Sequence, residues 1–200
     1  MKRKFFLLLS IFFIYFNSLI AVTYNSEPKI FIQELVDDAV KTLGDNSLTQ
    51  EEKNKIIEKI AIENVDIEAL GLYTLGKIRK ELDENTINRY QNLFEKYFLK
   101  SLTSRLTDYS SQKFEVVNSD QKSSNYTIVK SKIAESVKSP EIKIDWRVYT
   151  KNPQKPLIRD LIVEGLSLAR TQKEEFASIL NSNNNDVNVL IAKLQEFISN

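Results

Sequence analysis

Ser167 is the first side chain whose type and setting could do chemistry. Gly165, Leu166 and Ser167 resemble the start of the G-x-S-x-G turn that carries the nucleophile of α/β-hydrolases. The last position of that pattern is Ala169 here, and the chain contains no His that could activate the hydroxyl. A Ser that precedes an amphipathic stretch is more often the N-cap of a helix. We therefore expect a structural role for Ser167.

The other polar residues offer no better reactive group. The acidic pairs Asp37-Asp38 and Glu51-Glu52 lie in helical patterns, where neighbouring side chains point about 100° apart, as on a solvated surface. The Asn-rich stretch 181–186 lacks the alternating acids and the closing Glu of a calcium loop. The chain has no Cys and no His, which removes thiol nucleophiles and the commonest metal ligand. The sequence indicates a protein that is not an enzyme and that uses no cofactor or metal.

Net charge argues against nucleic acid as a partner. The 200 residues include 28 Lys and Arg and 27 Asp and Glu, a formal charge of +1. Lys2, Arg3 and Lys4 stand at the N-terminus, and without them 25 basic residues face 27 acidic ones, a charge of −2. A nearly neutral body has no electrostatic footprint for a phosphate backbone.

The N-terminal residues form a separate segment. Lys2 to Lys4 precede an apolar run from Phe5 to Phe16, interrupted only by Ser10, and a more polar end follows around Ala21. This is the layout of a secretory signal peptide. We expect residues 1–22 to be a cleaved signal peptide and residues 26–200 to be one domain on the far side of the inner membrane. An uncleaved anchor is the alternative, because the apolar run is almost long enough to span a bilayer.

Helical periodicity dominates the first half of that domain and returns at its end. Thr49 with Glu52 forms a capping box, and Asp66, Ser167 and Asp186 are placed to cap further helices. The longest pattern, from about Asn85 to Tyr109, repeats large apolar residues every three or four positions. Its stripe is Ile87, Tyr90, Phe94, Tyr97, Phe98, Leu102, Leu106 and Tyr109. Such a stripe is the core face of a long helix, or else one wall of a cavity.

Four strand patterns lie between the helices, at Phe114 to Val117, Tyr126 to Val129, Glu141 to Tyr149 and Leu157 to Val163. Strands that follow one another between groups of helices predict an α+β fold with an antiparallel sheet. The short polar connection 152–155 predicts a hairpin. Pairing symmetric about it places Arg147 opposite Asp160 and Trp146 opposite Leu161.

The segment from Asp160 to Phe176 resembles a family signature. Asp160, the run Glu164-Gly165-Leu166-Ser167-Leu168, Lys173 and Phe176 are similar to the "D…EG(V/L)SL…(R/K)xxF" pattern of the MlaC, or toluene-tolerance, family. Leu75-Gly76 and the long amphipathic segment 86–109 stand where that family has similar features. Pro156, Trp146 and Gln172 depart from it, since the family usually has Trp, Tyr and Tyr at those places.

The resemblance implies a phospholipid carrier of the periplasm with helices on a curved antiparallel sheet of about four strands. Acyl chains would lie in an apolar pocket between helices and sheet, as cargo and not as a cofactor. The partners implied are an inner-membrane ABC transporter complex with MCE domains and an outer-membrane lipoprotein complex, served by a monomer. This is the shuttle step of an Mla-type system for phospholipid transport, which acts on the lipid asymmetry of the outer membrane.

We predict that the pocket lies where the long helix faces the apolar side of the sheet. The predicted lipid-binding residues are Phe94, Phe98, Leu102, Ile144, Trp146, Val148, Leu161 and Val163. The alternative is a secreted, non-catalytic structural or adaptor domain in which the same residues form an ordinary packed core. Either version could also remain tethered by an uncleaved N-terminal segment.

Overall fold

The computed structural model describes residues 23–106, 113–135 and 140–200. Residues 1–22, which carry the predicted signal peptide, lie outside this range, and so does the predicted end of the long helix at Tyr109. No helix in the described part of the chain is both long and apolar enough to cross a membrane.

In the described residues, six α-helices pack with an antiparallel sheet, as the α+β prediction requires. The helices are α1 (Pro28–Gly44), α2 (Gln50–Asn64), α3 (Ile67–Leu75), α4 (Glu84–Leu106), α5 (Leu168–Asn181) and α6 (Val187–Ser199). A turn of 3-10 helix, Gly76–Lys80, joins α3 to α4. Local capping chemistry sets most of the helix starts.

The caps follow the sequence closely. Thr49 and Glu52 form the predicted capping box of α2. Asp66 accepts from the amide of Ala69 at 3.2 Å, and Ser167 accepts from the amide of Arg170 at 3.1 Å. The start of α1 uses the carboxylate of Glu27, which accepts from the two amides that follow Pro28.

The sheet runs in chain order, β1-β2-β3-β4-β5, with antiparallel neighbours throughout. Its strands are β1 (Phe114–Ser123), β2 (Tyr126–Ile133), β3 (Ile142–Tyr149), β4 (Leu157–Val163) and β5 (Leu166–Ser167). The two-residue β5 follows a tight turn at Glu164 and Gly165, both of which have positive φ, 49° and 82°. Gly tolerates that conformation without strain.

The predicted hairpin register is confirmed. Trp146 pairs with Leu161 and Arg147 with Asp160 across β3 and β4. The ladder then slips by one residue, because Val148 pairs with Ile158 and Arg159 is the extra residue of a bulge. The bulge turns Ile158, which is 4% exposed, to the inner face beside Val148.

Arg159 leaves the ladder and fastens the sheet to the helices. Its guanidinium donates to Asp66 Oδ2 at 2.7 Å and to the hydroxyl of Tyr126 at 2.9 Å, and it stacks 3.4 Å from the ring centre of Tyr149. The amide of Asp66 donates to the Ile158 carbonyl at 2.9 Å. The start of α3 is therefore held against β4, which sets the distance between helices and sheet.

Two hydrophobic clusters form the interior of the part of the chain that the structure describes. The sheet cluster joins α1 to the inner face of the sheet, and its buried members are Phe31, Ile32, Leu35, Val36, Val116, Val129, Val148 and Ile158. The helical cluster contains residues of the five helices α2, α3, α4, α5 and α6. Its buried members are Ala61, Ile67, Leu75, Tyr90, Phe94, Leu99, Phe176, Leu180, Val187, Leu190, Ile191 and Leu194. We expected the long helix to cover the sheet, but α1 covers much of it and α4 packs among the other helices.

Candidate functional site: an apolar cavity between the two clusters

A cavity of about 300 Å³ separates the sheet cluster from the helical cluster. Members of both clusters line it, and partly buried Val65 belongs to both. The cavity therefore lies between the two halves of the interior, which share Val65. Apolar voids of this size are rare in a packed interior, where density approaches that of an organic crystal.

The wall from α4 is aromatic. Phe94, Phe98 and Leu102 recur every four residues, so they lie one above another on one face of the helix. The rings of Phe94 and Phe98 stack with centroids 6.4 Å apart. The ring of Phe176 on α5 meets Phe94 edge-on at 6.3 Å and so supports the wall from behind.

The wall from the sheet is formed by Trp146, Ile158 and Leu161, and buried Asp160 also lines it. The indole nitrogen of Trp146 donates to the Ser131 hydroxyl at 2.8 Å, and that hydroxyl donates to the Ile144 carbonyl at 3.0 Å. Because its polar atom is satisfied within the sheet, Trp146 presents only apolar surface to the cavity.

The remaining walls come from the first three helices. Their lining residues are aliphatic apart from Thr74: Leu35, Val36, Ala39, Ile57, Ile60, Ala61, Val65, Leu70 and Thr74. The Thr74 hydroxyl lies 2.9 Å from the Tyr90 hydroxyl and donates to the Gly71 carbonyl. Burial raises the pKa of that tyrosine, so it stays neutral. No group of His, Cys, Asp or Glu suited to a metal ion occurs among the described residues.

The polar lining residues gather mainly at one end of the cavity, between α4 and α5. We define the mouth as Ser101, Arg105, Thr171, Gln172 and Glu175, all of which line the cavity. Arg105 and Glu175 are exposed to solvent. Beside them Leu168 lines the cavity while 38% exposed.

Tyr97 begins a chain of hydrogen bonds through the mouth. Its hydroxyl donates to Gln172 Oε1 at 2.8 Å, and Gln172 Nε2 donates to Glu175 Oε2 at 3.0 Å. Burial raises the pKa of Tyr97, with the charge of Glu175 adding to the rise and that of Arg105 opposing it. The tyrosine therefore remains a neutral donor between two opposite charges.

The predicted lipid-binding residues divide into two groups. Phe94, Phe98, Leu102, Trp146 and Leu161 line the cavity, on the two walls where they were expected. Ile144, Val148 and Val163 do not line it: Val148 is fully buried against α1, and Ile144 and Val163 pair with each other farther along the sheet. Contact with lipid stays a prediction for all of them.

Sequence reasoning missed the walls from α1, α2 and α3, and it missed the mouth. The helical periodicity marks Leu35, Val36, Ile57 and Ile60 as apolar, but periodicity alone does not say which surface a helix meets. Arg105 and Glu175 carried no signal, because exposed charges on amphipathic helices are ordinary. Ile158 was hidden by the bulge, which changes the alternation of β4.

The Ser167 hydroxyl has a structural partner, as expected. It donates to Asp160 Oδ2 at 2.6 Å while accepting from the amide of Arg170. The other oxygen of Asp160 accepts from the amide of Ala169 at 3.0 Å, and Arg147 lies 3.6 Å from this carboxylate. Asp160, at 4% exposed, thus ties β4 to the first turn of α5. The turn at Glu164 and Gly165 returns the chain so that this contact can form.

Comparison with known proteins agrees with this architecture. The family model described as "MlaC protein" matches residues 33–196. A solved structure of a phospholipid-binding protein from Ralstonia solanacearum, in complex with a phospholipid, superposes with a TM-score of 0.71 at 18% identity. The match covers 84% of this chain and 94% of that one. No curated protein matches the chain.

The family match spans the cavity, the mouth and the buried members of both clusters except Phe31 and Ile32. It includes the segment in which Asp160, Ser167 and the turn between them join the sheet to α5. The likeness to the solved structure independently supports the fold. The chain belongs to the MlaC family.

Proposed function

We propose that this protein is a phospholipid carrier of the periplasm. It binds the acyl chains of one lipid in the cavity and moves the lipid between an inner-membrane ABC transporter complex with MCE domains and an outer-membrane lipoprotein complex. The observation that carries the proposal is the apolar cavity between the two clusters of an MlaC family member. The phospholipid held by the Ralstonia protein of similar fold supports it.

The energetics of lipid transfer explain why such a cavity is required. Each methylene moved from a bilayer into water costs about 0.8 kcal/mol, so two long chains amount to roughly 20 kcal/mol. A carrier can remove a lipid only if its interior replaces the hydrocarbon. Walls made mainly of Phe, Trp, Leu, Ile and Val meet that need. Of the charged lining residues, Arg105 and Glu175 lie at the mouth, and Asp160 is engaged by Ser167 and the amide of Ala169.

A binding role also fits the chemistry of the polar groups. Ser167 and Asp160 are engaged in fastening α5 to the sheet. The mouth holds Arg105, Gln172 and Glu175, which suit recognition of a headgroup. We therefore propose transport as the function, with phospholipid as cargo and without a catalytic step.

Export is part of this proposal. Residues 1–22 would direct the chain across the inner membrane and be removed, leaving a monomer of one domain from about residue 26 onward. N-terminal sequencing of protein from the cell envelope should begin near Val22. Protein that retains Met1 and sediments with membranes would instead support the anchored version.

The test of lipid binding is direct. Protein purified from the cell envelope without detergent is extracted with organic solvent, and phospholipid is measured by mass spectrometry. The expected result is bound phospholipid in the parent and a large loss in Leu102→Trp, because the indole occupies cavity volume. The matched control is Leu166→Trp, a position that is 59% exposed and not part of the cavity lining.

Two results would contradict the carrier. A parent protein that never holds phospholipid would favour the structural or adaptor domain. A Leu102→Trp variant that keeps as much lipid as the parent would show that lipid binds elsewhere. Thermal unfolding of each variant shows whether the fold is intact, so loss of lipid can be separated from loss of structure.

A further inference from the structure

The mouth of the cavity carries one positive and one negative side chain on facing helices. Arg105 extends from the last turn of α4, and Glu175 from the middle of α5. Both line the cavity and both are exposed. Tyr97 lies close enough to both that each shifts its pKa, in opposite directions.

These opposite charges do not neutralise each other directly. In the described part of the chain, none of the ion pairs includes Arg105 or Glu175. The guanidinium and the carboxylate therefore present two distinct charged positions at the rim of an apolar cavity.

The carboxylate of Glu175 is oriented by its neighbours. Tyr97 donates to Gln172, whose amide nitrogen donates to one oxygen of Glu175. The other oxygen remains able to accept from a ligand. The anion is therefore held toward the mouth by a chain of hydrogen bonds that begins in the helical cluster.

This arrangement has a consequence for the cargo, which rests on the proposed carrier function. A phospholipid whose acyl chains fill the cavity leaves its phosphodiester at the mouth. A guanidinium is well matched to phosphate oxygens, whereas a nearby carboxylate repels them. That repulsion is offset only if the headgroup also carries a cation.

We propose that the mouth selects phospholipids with a primary-amine zwitterionic headgroup, such as phosphoethanolamine, over those with a net negative headgroup. Arg105 binds the phosphate, and Glu175 accepts hydrogen bonds from the ammonium. A quaternary ammonium lacks N–H donors, so phosphocholine is bound less well than phosphoethanolamine.

A competition experiment tests this selection. Lipid-free protein is incubated with vesicles of equal phosphatidylethanolamine and phosphatidylglycerol with identical acyl chains, then repurified and extracted for mass spectrometry. We expect about threefold to fivefold enrichment of phosphatidylethanolamine, the range that an exposed ion pair permits. A second vesicle set replaces phosphatidylethanolamine with phosphatidylcholine and should give a smaller enrichment.

Variants assign the two roles. Glu175→Gln should bring the ratio of bound phosphatidylethanolamine to bound phosphatidylglycerol close to that of the vesicles, and Glu175→Lys should favour phosphatidylglycerol. Arg105→Gln should lower the total of both lipids. The controls are Glu174→Gln and Arg170→Gln, exposed residues of α5 outside the cavity lining, and both should behave like the parent.

The outcomes separate this inference from the proposed function. Headgroup selection is overturned if the parent protein binds phospholipids in the same ratio as the vesicles contain them. It is also overturned if the Glu175→Gln variant keeps the parent's full preference for phosphatidylethanolamine. Neither result contradicts the proposed carrier function. Parent protein that takes up no phospholipid from any vesicle overturns both. Glu175 is exposed, so its variants should unfold at the parent's temperature, and this is checked by thermal denaturation.

Discussion

The two hydrophobic clusters look alike in sequence but differ in what they face. In the sheet cluster, Val129 and Val148 are fully buried because α1 lies directly on them. In the helical cluster, Phe98 and Leu102 are only partly buried and border the cavity. The same apolar periodicity therefore produces packed core in one place and the wall of a cavity in the other.

On strand β3, a packed position and a cavity-lining position lie two residues apart. Trp146 and Val148 project to the same face of the sheet, yet Trp146 lines the cavity and Val148 contacts no part of it. What differs is the opposing surface, because packed side chains of the sheet cluster cover Val148, whereas Trp146 borders the cavity. A substitution should therefore have opposite consequences at packed and at cavity-lining positions.

The largest expected effect is removal of a packed side chain. Ile32→Ala in the sheet cluster should lower the free energy of unfolding by about 2–5 kcal/mol, because the fully buried side chain leaves a void. Leu102→Ala, measured in lipid-free protein, should cost about 1 kcal/mol, because the cavity is already present. Chemical denaturation measures both. Equal losses would mean that the cavity collapses without lipid.

Enlarging a side chain should show the next largest effect. Val148→Trp should cost about 1–3 kcal/mol by overpacking, which replaces our expectation that Val148 lies beside lipid-filled space. Leu102→Trp should change the stability of the lipid-free protein little, because its indole enters the cavity. Thermal unfolding distinguishes them. A Val148→Trp variant as stable as the parent would show that α1 can move away from the sheet.

A smaller effect is expected where α3 approaches α4. A Cβ at Gly71 would lie 2.0 Å from Gln91 Oε1 and 2.9 Å from Phe94 Cδ1. Gly71→Ala gains helix propensity but displaces both neighbours, and we expect a net loss of about 1 kcal/mol. Displacement of Phe94 should also reduce bound lipid.

The double variant Gly71→Ala with Gln91→Ala provides the control for this prediction. It removes the contact with the glutamine and leaves the one with Phe94. Its stability loss should be smaller than the sum of the single losses, whereas strict additivity would show that Gln91 moves aside freely.

The smallest expected effect concerns the pair that marks the hairpin register. Arg147 Nη1 lies 3.6 Å from Asp160 Oδ2, but its side chain is 44% exposed. Solvent screening limits the pair, so Arg147→Gln should cost less than about 1 kcal/mol. Lys143→Gln on the same strand is the control, since no ion pair with Lys143 occurs in the described residues. A loss well above 1 kcal/mol would make Arg147 essential to holding Asp160.

Local chemistry made much of the fold predictable. Thr49, Asp66 and Ser167 cap helices because short polar side chains satisfy the first free amides nearby. The pairing of Trp146 with Leu161 followed from a short connection and a period of two. These features depend on residues within a few positions or within one hairpin.

Other features depended on contacts between distant segments. The bulge at Arg159 depends on Asp66, far away in the chain, and it brings Ile158 inward against the simple alternation. The mouth depends on Tyr97 of α4 meeting Gln172 of α5. No pattern within either segment contains such a contact.

The sequence by itself determined the helices and most of their caps, the positions of β1 to β4, the hairpin register and the family resemblance in the segment from Asp160 to Phe176, but not β5. Only the tertiary structure decided that α1 closes over the sheet while α4 stands away from it. The physical reason is that periodicity defines which face of an element is apolar but not which surface that face meets. Packing fills the interior of each cluster and leaves a cavity between them that is lined by the same kinds of residue.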